Sequence, residues 1–163
     1  MLNRATNRRG FLKSSALAGA GYWMATSSLA APTRSLQEKL NIGVIGVHSR
    51  GAANAEAVAG ENIAALCDVD ERYLGEAAEK YPRAQTYIDW RRMLDQQDLD
   101  AVIVSTPEHT HAPASLQAMQ RGKHVYCEKP LAHTVEEARR MREVSKQMQV
   151  ATQMGTQIHA GGN

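Results

Sequence analysis

Ile42-Gly43-Val44-Ile45-Gly46-Val47-His48-Ser49-Arg50-Gly51-Ala52-Ala53 decides the fold of this chain. The segment opens as an apolar run, turns at a glycine, and enters an alanine-rich stretch that begins with another glycine. Strand, tight turn and helix in that order form the first half of a β-α-β unit. The turn approximates the G-x-G-x-x-G pattern of a dinucleotide-binding sheet. Gly46 and Gly51 take the first and third positions. His48 takes the second, where glycine normally lets the backbone approach a pyrophosphate. Its ring either crowds that space or points outward and donates to it. Ser49 and Arg50 add donors at the helix start, where free amides and the helix dipole favour an anion. A glycine turn without a ligand is the alternative.

The pattern repeats downstream. Ile63–Cys67, Thr86–Ile88, Ala101–Val104, His124–Tyr126 and Val150–Met154 read as strands. Helical patterns over Gly51–Ala59, Glu71–Tyr81, Trp90–Leu94 and the stretch opened by Thr134-x-x-Glu137 separate them. A further helix is expected to have Pro113 in its first turn and Gly122 just past its end. The continuous run Ala101–Val104 suits a strand buried on both faces. This alternation predicts an α/β fold with right-handed crossovers, a doubly wound parallel sheet of Rossmann type. In strand order 3-2-1-4-5, Cys67 and Cys127 lie about 14 Å apart, beyond disulfide reach, so two free thiols are expected.

Asp68 follows the second strand, 22 residues after Gly46. An acidic side chain there suits the ribose hydroxyls of a bound dinucleotide. Its charge repels a ribose phosphate, which favours NAD; Arg50 keeps NADP open. The fourth strand runs into Ser105-Thr106-Pro107-Glu108-His109-Thr110-His111. This is the edge where parallel sheets bind ligands, so Ser105, Thr106, Pro107 and His111 are candidate cofactor contacts. His109 and His111 lack a third ligand at suitable spacing, and no metal is expected. The fifth strand ends in Cys127-Glu128-Lys129-Pro130. A lysine on a stiff turn at a strand's carboxyl end is a candidate general acid/base or cofactor contact; a polar loop with a solvated lysine is the alternative.

The first thirty residues stand apart. Arg4, Arg8, Arg9 and Lys13 precede a moderately apolar Ala/Gly/Ser stretch that ends at Ser28-Leu29-Ala30. Asn7-Arg8-Arg9-Gly10-Phe11-Leu12-Lys13 resembles a twin-arginine export signal. A signal peptide over 1–31, a linker over 32–39 and a periplasmic or otherwise exported protein are expected; an uncleaved anchor is the alternative. The whole chain has 19 basic and 17 acidic residues, of which the leader holds four basic and no acidic. The remainder is net negative and carries no basic patch with interleaved aromatics, so no nucleic-acid partner is expected. No membrane association is expected after signal cleavage.

Gly46–Gly51, Asp68, Thr106-Pro107-x-x-x-His111 and Glu128-Lys129-Pro130 together resemble the N-terminal domain of the Gfo/Idh/MocA oxidoreductases. These are relatives of glucose–fructose oxidoreductase and inositol dehydrogenase. The resemblance covers roughly residues 40–158. Ala52-Ala53-Asn54 and Gly155-Thr156-Gln157 are similar to the family's exported bacterial branch. The resemblance implies NAD contacts from Gly46, Val47, His48, Ser49, Arg50 and Gly51, and from Asp68, Ser105, Thr106, Pro107 and His111. It extends them to Glu128, Lys129 and Gln157, with Lys129 also assisting proton transfer. The family's second α/β domain binds substrate and makes oligomer contacts. The chain stops at Asn163, so 159–163 is expected to be the truncated start of that domain. Three functions follow: hydride transfer between nicotinamide and a sugar or polyol hydroxyl, an NAD-dependent glycosidase, or a nucleotide-binding fragment without catalysis.

Overall fold

The computed structural model describes residues 38–156. The expected leader, most of the expected linker, Gln157 and residues 159–163 lie outside the described residues. Six strands alternate with five helices among the described residues. In chain order they are β1 (Asn41–Ile45), α1 (Arg50–Ala57), β2 (Asn62–Cys67), α2 (Glu71–Lys80) and β3 (Gln85–Tyr87). Then come α3 (Trp90–Met93), β4 (Ala101–Val104), α4 (Glu108–Gln120), β5 (His124–Glu128), α5 (Val135–Met148) and β6 (Thr152–Gly155). The strands form one sheet in the order β3-β2-β1-β4-β5-β6. Every pairing is parallel. Strand order reverses between β1 and β4, and in an open α/β sheet ligands bind at the carboxyl edge beside that point.

Side-chain alternation explains why both faces are covered. Ile42 and Val44 of β1 join Leu66, Leu74 and Ile103 in one core, on the side of α1 and α2. Ile45 joins Val102, Val104, Met119, Val125 and Met141 in the other. Adjacent residues of β1 and β4 thus enter opposite cores, as a strand period of two requires. Both cysteines are buried and free. They sit on strands three steps apart in the sheet, as the expected strand order implied. No helix among the described residues is long and apolar enough to cross a membrane.

Several expected boundaries move, each for a local reason. Asp70 caps α2 by accepting from the Arg72 and Tyr73 amides. Thr134 and Glu137 form the expected capping box of α5. Val135, in its first turn, is 68% exposed, while Met141 and Val144 are buried. Gln149 ends α5 in a left-handed conformation (φ 55°). The Val150 amide then turns back to the Ser145 carbonyl, so β6 begins at Thr152 rather than Val150. Helix α4 starts at Glu108 with Pro107 as its cap, which places Pro113 inside the helix and not in its first turn. Pro113 has no amide for the His109 carbonyl four residues back. Strand β5 runs two residues further than expected, because Glu128 pairs in register with Gly155. Glu128 is therefore a buried strand residue, and the turn begins at Lys129.

Candidate functional site

The carboxyl ends of β1, β2 and β4 converge on a cleft of about 580 Å³. Gly46, at the exit from β1, has φ +83°. A Cβ there would lie 2.7 Å from the Ser105 carbonyl oxygen, so only glycine lets the loop pass the end of β4. At Gly51 a Cβ would lie 1.7 Å from the Gly46 carbonyl oxygen. The first and third glycines of the fingerprint are thus required by contact as well as by pattern. The positive φ that the second glycine would relieve falls on Ser49 (φ 52°), not on His48. The His48 ring stacks on Tyr73 of α2, with centroids 3.7 Å apart and planes within 10°. Arg72 lies 4.5 Å from the centroid of the same tyrosine ring.

Asp68 ties this loop to β2. Its Oδ2 accepts from the Val47 amide at 2.9 Å and its Oδ1 from the Asp70 amide at 3.0 Å. The Gly46 and Gly51 amides bond to the Cys67 and His48 carbonyls. The start of α1 lies at the same edge, and a helix N-terminus favours an anion.

Gly46, His48, Ser49, Arg50, Asp68, Ser105, Thr106 and Pro107 all line the cleft. Val47 and Gly51 are buried behind its wall. His111 departs from the expected contact. It is 1% exposed, with Nδ1 2.7 Å from the Pro130 carbonyl and Nε2 2.6 Å from the Thr106 carbonyl. Both ring nitrogens lie against backbone carbonyls, of which a neutral imidazole donates to only one, so His111 sits between two turns and does not face the cleft. His109 is exposed. Glu128, 5% exposed, accepts from Asn54 and Tyr126. Lys129 is exposed beside it, and its peptide bond to Pro130 is cis.

Residues 16–156 match the sequence model of the GFO_IDH_MocA family, described as "Oxidoreductase family, NAD-binding Rossmann fold". The chain belongs to this oxidoreductase family. The Gfo/Idh/MocA match begins before the residues on which the sequence resemblance rested. The chain is 30% identical to the alpha-N-acetylgalactosaminidase of Shewanella oneidensis, over 95% of this chain and 40% of that protein. Among solved structures it is similar to myo-inositol 2-dehydrogenase from Lactobacillus plantarum (TM-score 0.71, 26% identity, 76% of this chain and 38% of that one). It is also similar to levoglucosan dehydrogenase in complex with NADH (TM-score 0.66, 30% identity, 71% of this chain and 34% of that one). The chain spans about 40% of the length of the curated relatives it matches.

As a Gfo/Idh/MocA domain it is an NAD-binding Rossmann fold, and its residues suit that cofactor: Gly46, Asp68 and Ser105 border one cleft at the carboxyl edge of the sheet. A second groove, of about 470 Å³, lies against β4, β5 and β6 on the face that carries α1. Its lining includes no Asp, Glu, Lys or Arg, which leaves it without the charge a dinucleotide site uses.

Four apolar or aromatic wall residues beyond the strand ends were not singled out from the sequence. Val69 and Ile88, 83% and 52% exposed, flank the cleft beyond the ends of β2 and β3, together with Tyr73 and Trp90. The available signal was an apolar residue close behind a strand end: Ile88 directly follows β3, and Val69 stands two residues past β2. Also missed was the bonding of Asn54, which no local pattern reveals.

Proposed function

We propose that this domain holds NAD for hydride transfer between its nicotinamide and a hydroxyl of a sugar or polyol. The observation that carries the reading is the convergence of the glycine cradle, Asp68 and the Ser105–Pro107 turn on one cleft at the switch point. The amides of His48, Ser49 and Arg50, at the start of α1, face the pyrophosphate. Asp68 spends one acceptor site of each oxygen on backbone amides, and a carboxylate has about four such sites. The remaining ones take the adenosine ribose hydroxyls, and the negative charge favours NAD over NADP. Val69 and Ile88 supply an apolar flank for the adenine. Bound NAD supplies the hydride acceptor. Lys129 supplies the proton contact for the reacting hydroxyl.

Two measurements test this. Calorimetric titration should show NAD binding more tightly than NADP, and absorbance of NADH should rise with a sugar or polyol from a panel. No binding of either dinucleotide would end the proposal.

A second reading, an NAD-dependent glycosidase, is favoured by the name of the Shewanella oneidensis relative. Release of an aglycone without net NADH would select it over the first. The proposal includes export, supported by Arg8-Arg9 and the small-x-small end at Ser28-Leu29-Ala30. Fractionation of cells that make the protein would test it, with recovery in the cytoplasm alone counting against export.

A further inference from the structure

The turn that carries Lys129 is held from both sides by buried side chains. The Lys129 amide donates to Glu128 Oε2 at 3.3 Å. The Pro130 carbonyl lies 2.7 Å from His111 Nδ1. Each of these side chains is fixed at its far end. The other ring nitrogen of His111 meets the Thr106 carbonyl at 2.6 Å, so one ring joins the turn after β4 to the turn after β5. Glu128 Oε1 accepts from Asn54 Nδ2 at 2.9 Å and from the Tyr126 hydroxyl at 3.3 Å.

Asn54 lies on α1, the helix that begins in the glycine loop. Its Nδ2 also donates to Ser105 Oγ at 2.9 Å. An amide nitrogen has two hydrogens, and these two acceptors use both. Reversing the amide would set its oxygen against a carboxylate, so the network itself fixes the orientation. Space around the carboxylate is tight. A Cβ at Gly155 would lie 2.5 Å from the Tyr126 hydroxyl oxygen and 2.9 Å from Glu128 Oε1. A solvated loop needs none of this, and burying a carboxylate and an imidazole is costly unless both are bonded.

We infer that His111 and Glu128 are positioning residues for Lys129, and that Asn54 links Glu128 to the glycine-loop helix. The nicotinamide half of the cofactor is then gripped through this network, and the adenosine half is not. The inference rests on the reading that Lys129 lies on the nicotinamide side.

The test compares the full chain's affinity for NAD with its affinity for ADP-ribose, which lacks the nicotinamide. The variants are Lys129→Ala, Asn54→Ala and His111→Gln. The wild type is expected to prefer NAD, and Lys129→Ala to lose that preference. Asn54→Ala, which loses a hydrogen bond to a charged group, should lower it about tenfold, and His111→Gln should lower it in the same direction, while ADP-ribose affinity stays within about twofold. A merely structural role would weaken both ligands in parallel, and that result overturns the inference. So does an intact preference in Asn54→Ala beside a lost one in Lys129→Ala. If Lys129→Ala keeps the preference, the reading of Lys129 falls and takes the inference with it. Should His111→Gln fail to fold, Asn54→Ala, half-buried on a helix, decides the matter alone.

Discussion

Asp68 Oδ2 accepts a hydrogen bond from the Val47 amide at 2.9 Å, across 21 residues of chain. The carboxylate at the end of β2 therefore holds the loop that leaves β1. It sets the shape of the phosphate turn before any ribose arrives. Asp68→Asn replaces one acceptor oxygen with an NH₂ that faces a backbone N–H. The expected loss is about 1–3 kcal/mol of stability, with NAD affinity down by about tenfold or more. Thermal denaturation and NAD titration of the variant check both; unchanged stability would mean that the loop does not depend on this carboxylate.

Ser49 bears the strain of the turn. At φ 52° and ψ −108° it sits where side chains are disfavoured, and such positions cost about 1–3 kcal/mol. Ser49→Gly is expected to raise the denaturation temperature. A fall would show that the serine side chain contributes more than its backbone costs.

Cys67 and Cys127 make alkaline stability predictable. Burial, aided by the charges of Asp68 and Asp89, pushes the Cys67 thiol up to about 12. Burial, aided by Glu128, pushes Cys127 up to about 11. In the unfolded chain a thiol ionises near about 8.5. The native state thus keeps protons that the unfolded state releases. This contribution is whole below about 8.5 and is lost as pH rises towards 11 and 12. A Cys67→Ala/Cys127→Ala double variant should lose stability less steeply than the parent above about pH 8.5. Denaturant midpoints across that range give the comparison, and equal slopes would contradict it.

Among the described residues Lys123 is a buried cation outside the cleft, 4% exposed. Its Nζ donates to the Gln96 and Leu99 carbonyls at 2.8 and 3.1 Å, which fastens the loop between α3 and β4. Burial lowers its pKa, with Asp98 and Asp100 opposing. Lys123→Met keeps the aliphatic stem and strips both carbonyls of their donor, an expected cost of about 1–3 kcal/mol. A variant as stable as the parent in chemical denaturation would show that water replaces the ammonium freely.

The sheet was legible in the sequence because its strands are apolar runs bounded by turn residues, as at Ala101–Val104. Gly46, Gly51 and Asp68 were legible because a fixed backbone geometry demands them at fixed spacing. The His48 ring was not. Its stack on Tyr73 depends on where α2 packs, which local spacing does not encode. Nor was the role of His111. A histidine seven residues past the end of β4 reads as a contact, and only the fold brings the Pro130 carbonyl to its second nitrogen. Asn54 needed three separate elements in place before its donors had acceptors.

The most direct measurement is a crystal structure of the chain with NAD bound. The pyrophosphate is expected over the Gly46–Gly51 turn, the adenosine ribose on Asp68, and the nicotinamide on the side of Ser105 and Lys129. A dinucleotide seated instead in the apolar groove against Ile103, Tyr126 and Thr152 would contradict it.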